Sequence, residues 1–443
     1  MKLFYRSIVF ILVITVVTIM SPGYGVLKAF ADEPIKVGVP LPLTGYYAGD
    51  GLHMKQAALL AVEDINAQGG VLGRPVELVF FDIEDMMAEK LIAAADKLVM
   101  KDKVDAVITG YAGMGPDVPA FGKYDVPFLC NDSAEICLKM VMDNYDKYSN
   151  VFQMGVWGQS VGREPFKAIQ SLPYNWPNKK IALIMAEFEN DIDYVTAYGE
   201  EAKRNGWEIV MKEVFPVGTN EWGSVLAKLR KVDPALIVFE SQDPANGITF
   251  FRQFLKNPTN SIIDMICTVW WTGFVETLDK DADGLFGWWG QEPLPTPSDP
   301  DGVLLKKRYE KRFGMKPAGS WMFNYDNFFI WKAAVERVGS VSDYPSICKA
   351  MIEYPYRGIG GRWEFHPELG NGVYAIPTAD QPVFYVQIQN GEPVRYAASF
   401  SDTTRVIPGK KNSKDGIFKV TPYHEMYPWV KKAEFQIPRW IKK

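Results

Sequence analysis

Short apolar, β-branched runs alternate with helical stretches along most of this chain, and that alternation restricts the fold more than any other feature. Ile35-Lys36-Val37-Gly38-Val39 opens the series, and a helix from about Asp50 to Gln68 follows, ending at Gly69-Gly70. Val76 to Phe81 reads as a strand, Met86 to Met100 as a helix, Val104 to Thr109 as a strand, Pro116 to Tyr124 as a helix and Val126 to Leu129 as a strand. Consecutive parallel strands need a crossover between them, so repetition of this unit predicts a mostly parallel sheet covered by helices. A second series opens after Asn150, with helices at Val161 to Ser171, Asp191 to Asn205, Trp222 to Lys231 and Asn246 to Leu255. Its strands read as Ile181 to Met185, Glu208 to Phe215, Ala235 to Phe239 and Ser261 to Cys267. Two such series predict two doubly wound domains, each with its own core.

Pro293, Pro295, Pro297 and Pro300 fall close together and exclude helix or central strand, so this stretch reads as a connector. Beyond it two helices are expected, Gly302 to Phe313 and Asn324 to Val338, then Trp363-Glu364-Phe365 and a strand from Pro382 to Gln389.

The N-terminus carries Lys2 and Arg6 ahead of an apolar run from Ile8 to Met20, then Ala29-Phe30-Ala31. That is the layout of a secretory signal peptide, and residues 1–31 are expected to be removed on export. The apolar run is short of the roughly 20 residues that an α-helix needs to cross a bilayer. No Cys lies near Ala31, so the mature chain is expected to be free in the periplasm or secreted.

Net charge is −5, and the signal segment is basic, so the remainder is more acidic still and a poor partner for nucleic acid. The exception is the tail from Asp402 to Lys443, where ten Lys/Arg face four Asp/Glu; it is expected to wrap an acidic flank of its own domain or to dock a partner. Four cysteines are too few for a disulfide scaffold. Cys130 and Cys137 can form one bridge in an oxidising compartment or stand as two half-buried thiols. No close Cys/His cluster suggests a metal, and no cofactor signature appears.

The run Ile35 to Gly45 (IKVGVPLPLTG), then Ala57 to Gly73 (AALLAVEDINAQGGVLG), then Asp82 resembles the opening of the branched-chain amino acid and amide binding proteins of ABC importers. Asn324-Tyr325-Asp326, Ala333-Ala334, Gly339 and Ile359-Gly360-Gly361 before Trp363-Glu364-Phe365 extend the likeness to about Pro393. The resemblance implies a type I periplasmic-binding fold: two α/β domains with doubly wound parallel sheets, joined by three hinge crossings. The crossings are expected near Gln153, near Trp288 to Gln291 and near Glu368 to Gly372. One lobe would then comprise residues 32–153 plus 290–367, the other 154–289 plus 368–443 with the basic tail.

Ligands of open α/β sheets lie at the carboxyl ends of the strands. After the first strand, Thr44 to Asp50 offers glycines that let backbone N-H groups approach a ligand, with Tyr47 beside them; Asp50 can face the ligand or cap the following helix. After the third strand the family usually places small hydroxyl residues for a ligand carboxylate, and the matching Gly110 to Gly115 keeps only Tyr111 with Ala112 and Gly113. After the fourth, Asp132 and Ser133 match a second ligand loop, where Asp132 can pair a cationic group or serve as a helix cap. In the second domain Tyr194 or Phe188 matches a position where the family presents a ring, and Glu240 ends a strand at the cleft. Trp270-Trp271 stands where amino acid binders of the family often carry a carboxylate, and Trp157 lies just past the first crossing. These rings can box a cation or sandwich a flat solute, or simply be core.

The expected function is therefore extracytoplasmic capture of a small amino acid, amide, amine or aromatic solute in the inter-domain cleft and its delivery to an ABC importer. The permease subunits would supply the only membrane contact, and the chain would act as a monomer. A ligand-sensing receptor subunit is the alternative with the same mechanics. An exported hydrolase is a lesser one, resting on the acidic group Glu187, Glu189, Asp191 and Asp193, whose plainer reading is a solvated loop and helix start. None of His53, His366 and His424 belongs to a recognisable catalytic constellation, so no enzyme activity is expected.

Overall fold

The structure, a computed structural model, describes residues 33–131, 134–155, 158–271, 273–289, 300–317, 321–359, 361–367, 370–373, 384–398, 404–406, 417–419 and 434–442. Residues 1–32 and most of the basic tail lie outside these residues, as do Asp132, Ser133 and Trp157.

In the first domain the strands β1 (Ile35–Leu41), β2 (Val76–Asp82), β3 (Ala106–Ile108), β4 (Phe128–Cys130) and β5 (Val151–Gln153) alternate with helices. These are α1 (Ala48–Ala67), α2 (Ala88–Ala95), which continues as a π-helical turn, α3 (Asp117–Gly122), α4 (Glu135–Asp143) and the single turn α5 (Tyr145–Tyr148). The second domain runs α6 (Gly158–Gln170), β6 (Lys180–Ala186), α7 (Glu189–Arg204), β7 (Glu208–Phe215), α8 (Gly223–Val232), β8 (Leu236–Glu240), α9 (Pro244–Phe254), β9 (Ile262–Asp264), α10 (Phe274–Leu278) and β10 (Phe286–Trp289). The chain then returns to the first domain through α11 (Pro300–Phe313), α12 (Trp321–Val338), α13 (Tyr344–Glu353), the hairpin β11 (Tyr356–Gly358) and β12 (Gly361–Trp363), β13 (Phe365–His366) and β14 (Gly372–Val373). It ends in the second with β15 (Phe384–Gln389) and β16 (Glu392–Ala398).

Two seven-stranded sheets result, ordered β2-β1-β3-β4-β5-β14-β13 and β7-β6-β8-β9-β10-β15-β16. Each has a parallel core, β1 to β5 in one and β6 to β10 in the other; at one edge the first sheet adds β14, parallel to β5, and then antiparallel β13, and the second adds β15 and β16, each antiparallel to its neighbour. Strands covered on both faces carry continuous apolar runs. β1 is buried at all positions but Lys36, and β8 (LIVFE) is buried throughout. Glycine marks the closest helix contact. A Cβ on Gly162 of α6 would lie 2.1 Å from the Tyr194 carbonyl oxygen of α7, so the two helices meet backbone to backbone.

The chain passes between domains after Gln153, after Trp289 and after Val373. Sequence placed the third passage near Glu368 to Gly372, but Gly372 still pairs with Gln153 in the first sheet, so the passage comes later. The sequence also left α13 unread, although Asp343 caps it and proline stands in its first turn.

Residues 434–442 lie across the second domain. Trp440 is buried in its core and donates its indole N-H to the Ser261 carbonyl at 2.9 Å. Gln436 exchanges bonds with Gln387 and Gln389 of β15, and Arg439 pairs with Asp281 at 2.6 Å. All four cysteines are free and buried, which removes the Cys130–Cys137 bridge. The Cys130 thiol lies against Gln153 at 3.4 Å, and both cysteines sit in the apolar layer under α3 and α4.

Candidate ligand cleft

The carboxyl ends of both sheets face each other, and the loops leaving β1, β3, β4 and β5 meet those leaving β6, β8 and β9, with the end of β10 beside them. Between them is a cavity of about 50 Å³ lined by Tyr111, Met114, Asn131 and Gly155 on one side and Asn190, Tyr194, Gln242, Cys267, Trp270, Trp271 and Trp288 on the other.

Its wall is built from rings set edge to face. Tyr111 meets Trp271 across the cleft with centroids 6.3 Å apart and planes at 89°. Trp271 lies 5.4 Å from Trp270, which in turn stands 5.4 Å from Trp288 at 80°. Behind Tyr111, Tyr47 makes an edge contact at 6.2 Å, and the Tyr111 hydroxyl donates to Asp50 at 2.7 Å. Offset ring pairs of this kind favour a single arrangement over a sliding one.

Polar contacts also cross the gap. Asn190 of the second domain donates its amide to the Met114 sulfur at 2.9 Å; Met114 holds a left-handed backbone, with φ at 51°. Burial, and then a hydrogen bond to Asp243, push the Tyr46 hydroxyl far above its ordinary range. The domains are therefore closed on one another.

Beneath the second-domain wall lie two carboxyls with no solvent exposure, Asp191 and Glu240. Gln242 donates to both Asp191 oxygens, from its side chain at 2.9 Å and its backbone at 3.2 Å. One Glu240 oxygen, Oε2, accepts from the backbone N-H groups of Cys267 at 2.8 Å and Thr268 at 3.3 Å. Burial raises Asp191 to about 7, and burial followed by the Asp191 charge lifts Glu240 well above the carboxylate range.

Several buried polar atoms on or behind the cavity wall have no hydrogen-bond partner among the described residues. They are Asn131 Nδ2, Asn190 Oδ1, Glu240 Oε1 and the indole nitrogens of Trp271 and Trp288. Unpaired buried groups are rare in folded proteins because each forfeits its hydration.

Of the residues singled out from sequence, Tyr111, Tyr194, Trp270 and Trp271 line the cavity together. Tyr47, Asp50 and Glu240 stand behind the wall. Asp50 lies inside the first turn of α1, which begins at Ala48, so it makes no cap and instead holds Tyr111. Ala112 and Gly113 turn away from the cavity. The Ala112 methyl is packed in the outer core, and a Cβ on Gly113 would meet Leu91 of α2 at 2.6 Å. Asp132, Ser133 and Trp157 lie outside the described residues. Glu187 and Glu189 are exposed, as a solvated loop and helix start require, but Asp191 is not: it is buried against Gln242. Met114, Asn131, Gly155, Asn190, Gln242, Cys267 and Trp288 were not singled out. Asn131, Gln242 and Cys267 each stand just past an apolar strand, a signal that could have found them. Among the described residues no group of three or more His, Cys, Asp or Glu is arranged to hold a metal.

Comparison with known proteins agrees with this architecture. The sequence is 22% identical over 400 residues to an amino acid binding protein of Pseudomonas aeruginosa, covering 87% of this chain and 99% of that one. The structure superposes on that of a putative branched-chain amino acid ABC transporter protein from Silicibacter pomeroyi with a TM-score of 0.77 and 25% identity, over 92% of this chain and all of that one. A solute binding protein of an R. palustris ABC transporter, solved with benzoate, shares the fold at a TM-score of 0.68 and 17% identity, over 83% of this chain and 96% of that one. The sequence model of the periplasmic binding protein family matches residues 34–392, most of the chain, and with two parallel-sheet domains closed over a ring-lined cavity this chain belongs to that family.

Proposed function

We propose that this chain is an extracytoplasmic solute-binding protein that captures a small amino acid, amide, amine or aromatic solute between its domains and hands it to an ABC importer. The observation that carries the reading is the inter-domain cavity itself: rings from both domains wall it, and unpartnered donors and acceptors stand around it. That arrangement of described residues is suited to holding and enclosing a solute. Tyr111, Tyr194, Trp270, Trp271 and Trp288 would provide flat apolar contact, while Asn131 and the indole N-H groups of Trp271 and Trp288 would donate to an acceptor on the solute. Asn190 Oδ1 and Glu240 Oε1 would accept from its donor end.

Closure over the solute would create the surface that the permease subunits read, with three chain passages acting as the hinge. Export through a cleaved segment at residues 1–31 and action as a monomer complete the reading. The lobes then comprise 32–153 with the 300–373 return, and 158–289 with the C-terminal strands.

A thermal-shift screen of the mature chain against amino acids, amides, amines and aromatic acids tests it. A solute that binds at about micromolar Kd, near −8 kcal/mol, should raise the melting temperature dose-dependently. If no class stabilises the protein, the binding reading fails.

A further inference from the structure

The cavity wall carries no Lys or Arg, yet two carboxyls with no solvent exposure stand directly behind it. Two of the residues that hold this pair are wall residues: Gln242 clasps Asp191, and the Cys267 backbone N-H binds Glu240. Among the ion pairs of the described residues none includes Asp191, Glu240 or Asp243. Among the described residues Glu240 Oε1 has no partner, and neither has Asn190 Oδ1, a second buried acceptor on the cavity wall next to Asp191 in the chain. Two buried carboxyls cannot both carry charge without a neutralising partner, so the pair must hold either a proton or a cation.

Resting on the solute-binding reading above, we propose that the cleft is specific for a cationic amine, whose ammonium settles against Glu240 and Asp191 in place of a proton held there. Glu240 Oε1 and Asn190 Oδ1 accept its N-H groups, and the rings of Trp270, Trp271, Trp288 and Tyr111 surround the adjoining carbon, an arrangement that attracts cations electrostatically. The exchange balances. One proton leaves to solvent as the ammonium enters, so the site keeps its net charge and the freed carboxylate faces the positive charge.

The titratable groups that face the pair are Tyr47 from the loop before α1 and Cys267 just past β9, with Asp264 of β9 acting on Cys267 and Asp243 acting on Tyr47. Burial shifts Asp191, and burial and then the Asp191 charge shift Glu240, each opposed only in part by neutral hydrogen-bond donors. Below the titration of the pair, one proton must be expelled for each amine bound, so affinity should rise about tenfold per pH unit and level off above it. For a neutral amide no such slope is expected.

Calorimetry on the mature chain with matched probes tests this: isobutylamine, isobutyramide and isobutyrate, and benzylamine, benzamide and benzoate. Titrations between about pH 5.5 and 7.5, in two buffers of different ionisation enthalpy, count the protons released. The amine of at least one trio should bind at least tenfold tighter than its amide and carboxylate and release close to one proton at the acid end. Glu240→Gln should abolish both the preference and the release, and Asp191→Asn, checked for folding by its melting curve, should blunt them. Tighter binding of an amide or carboxylate, or an amine preference intact in both variants, overturns the charge assignment while leaving a solute-binding protein. If none of the six probes binds but the wider screen yields a neutral or anionic solute, the assignment is again overturned. If that screen yields nothing, the solute-binding reading itself falls.

Discussion

The two domains share one frame and differ in what they hang on it. Each sheet runs in the order 2-1-3-4-5 through its parallel strands, counted within its own domain, and in each the return of the chain adds two strands at the same edge. At the cleft the likeness ends. The first domain brings Tyr111, Met114, Asn131 and Gly155, on loops whose neighbouring side chains, such as Ala112, turn into its own core. The second brings three tryptophans, Tyr194, Asn190, Gln242 and Cys267, with two buried carboxyls behind them. A frame made of hydrogen-bonded strands tolerates little variation, whereas loops at the carboxyl ends of the strands are free to vary without disturbing it. The asymmetry suggests a division of labour, with the second domain selecting the solute and the first covering it.

The largest effect should come from the segment that only the second domain has. Trp440→Ala removes an indole buried with Phe251 and Phe254 and breaks its bond to the Ser261 carbonyl. A loss of about 3–5 kcal/mol is expected for a buried aromatic truncated to alanine. Native-state hydrogen exchange should show it in β8 and β9 while β1 and β3 keep their protection. Equal loss in both sheets would mean that the domains are one cooperative unit and that the comparison has no energetic content.

Next comes the wall. For the solute found by screening, Trp271→Ala should weaken binding by about 2–4 kcal/mol, the range of a central aromatic anchor. Tyr111→Phe keeps its ring and loses only the hydroxyl bond to Asp50, so about 0.5–1.5 kcal/mol is expected. Titration calorimetry of the two variants decides; the opposite ranking would make the first domain the selecting one.

The frame was legible in the sequence because periodicity reports it directly. The strand read at Glu208 to Phe215 matches β7, and most helices were placed within two or three residues. Short elements escaped. α4 was marked only by the candidate cap at Asp132, the single turn α5 has too few residues for a periodic signal, and β10 hides in the aromatic run Phe286–Trp289. The site was legible only by loop. Carboxyl-end logic found Tyr111, Trp270 and Trp271, but which side of a loop faces the cavity depends on packing that no local pattern encodes. Gly113 faces Leu91 rather than the cleft, and Asp50 faces Tyr111. Burial was least legible of all, since Asp191 sits in an acidic stretch that any local reading assigns to solvent.

The acid pair gives a smaller effect that is graded with pH. Asp191 titrates at about 7 in the folded chain, above its ordinary value, so between the two the folded state holds a proton that the unfolded state has released. Stability should therefore fall as pH rises from about 4 toward 7, by at most ~1.4 kcal/mol per pH unit, and be flat above. Asp191→Asn removes the titration, and its denaturant midpoint should show a shallower fall over that window and exceed that of the parent chain above neutrality. Parallel curves for the two proteins would show that the carboxyl is not held in its protonated form, and the electrostatic contrast between the domains would lose its main support.

The smallest effect tests whether the first domain closes by its own contacts or is drawn shut by solute. Tyr46 sits at the rim, 50% exposed, its backbone N-H bonded to Asp85 at 2.8 Å and its hydroxyl reaching Asp243 across the gap. A half-exposed hydrogen bond to a carboxylate contributes only about 0.5–1 kcal/mol net, but that entire amount acts on the open-closed equilibrium, since the bond exists only when the domains meet. Tyr46→Phe should therefore shift the solute-free population toward open several-fold without changing the melting of either domain. Small-angle scattering would register it as a larger radius of gyration that returns to the parent value on saturation with solute. An unchanged radius would mean that Tyr111 against Trp271 and Met114 against Asn190 suffice to hold the cleft, which would make the first domain a more active partner than its sparse side chains suggest.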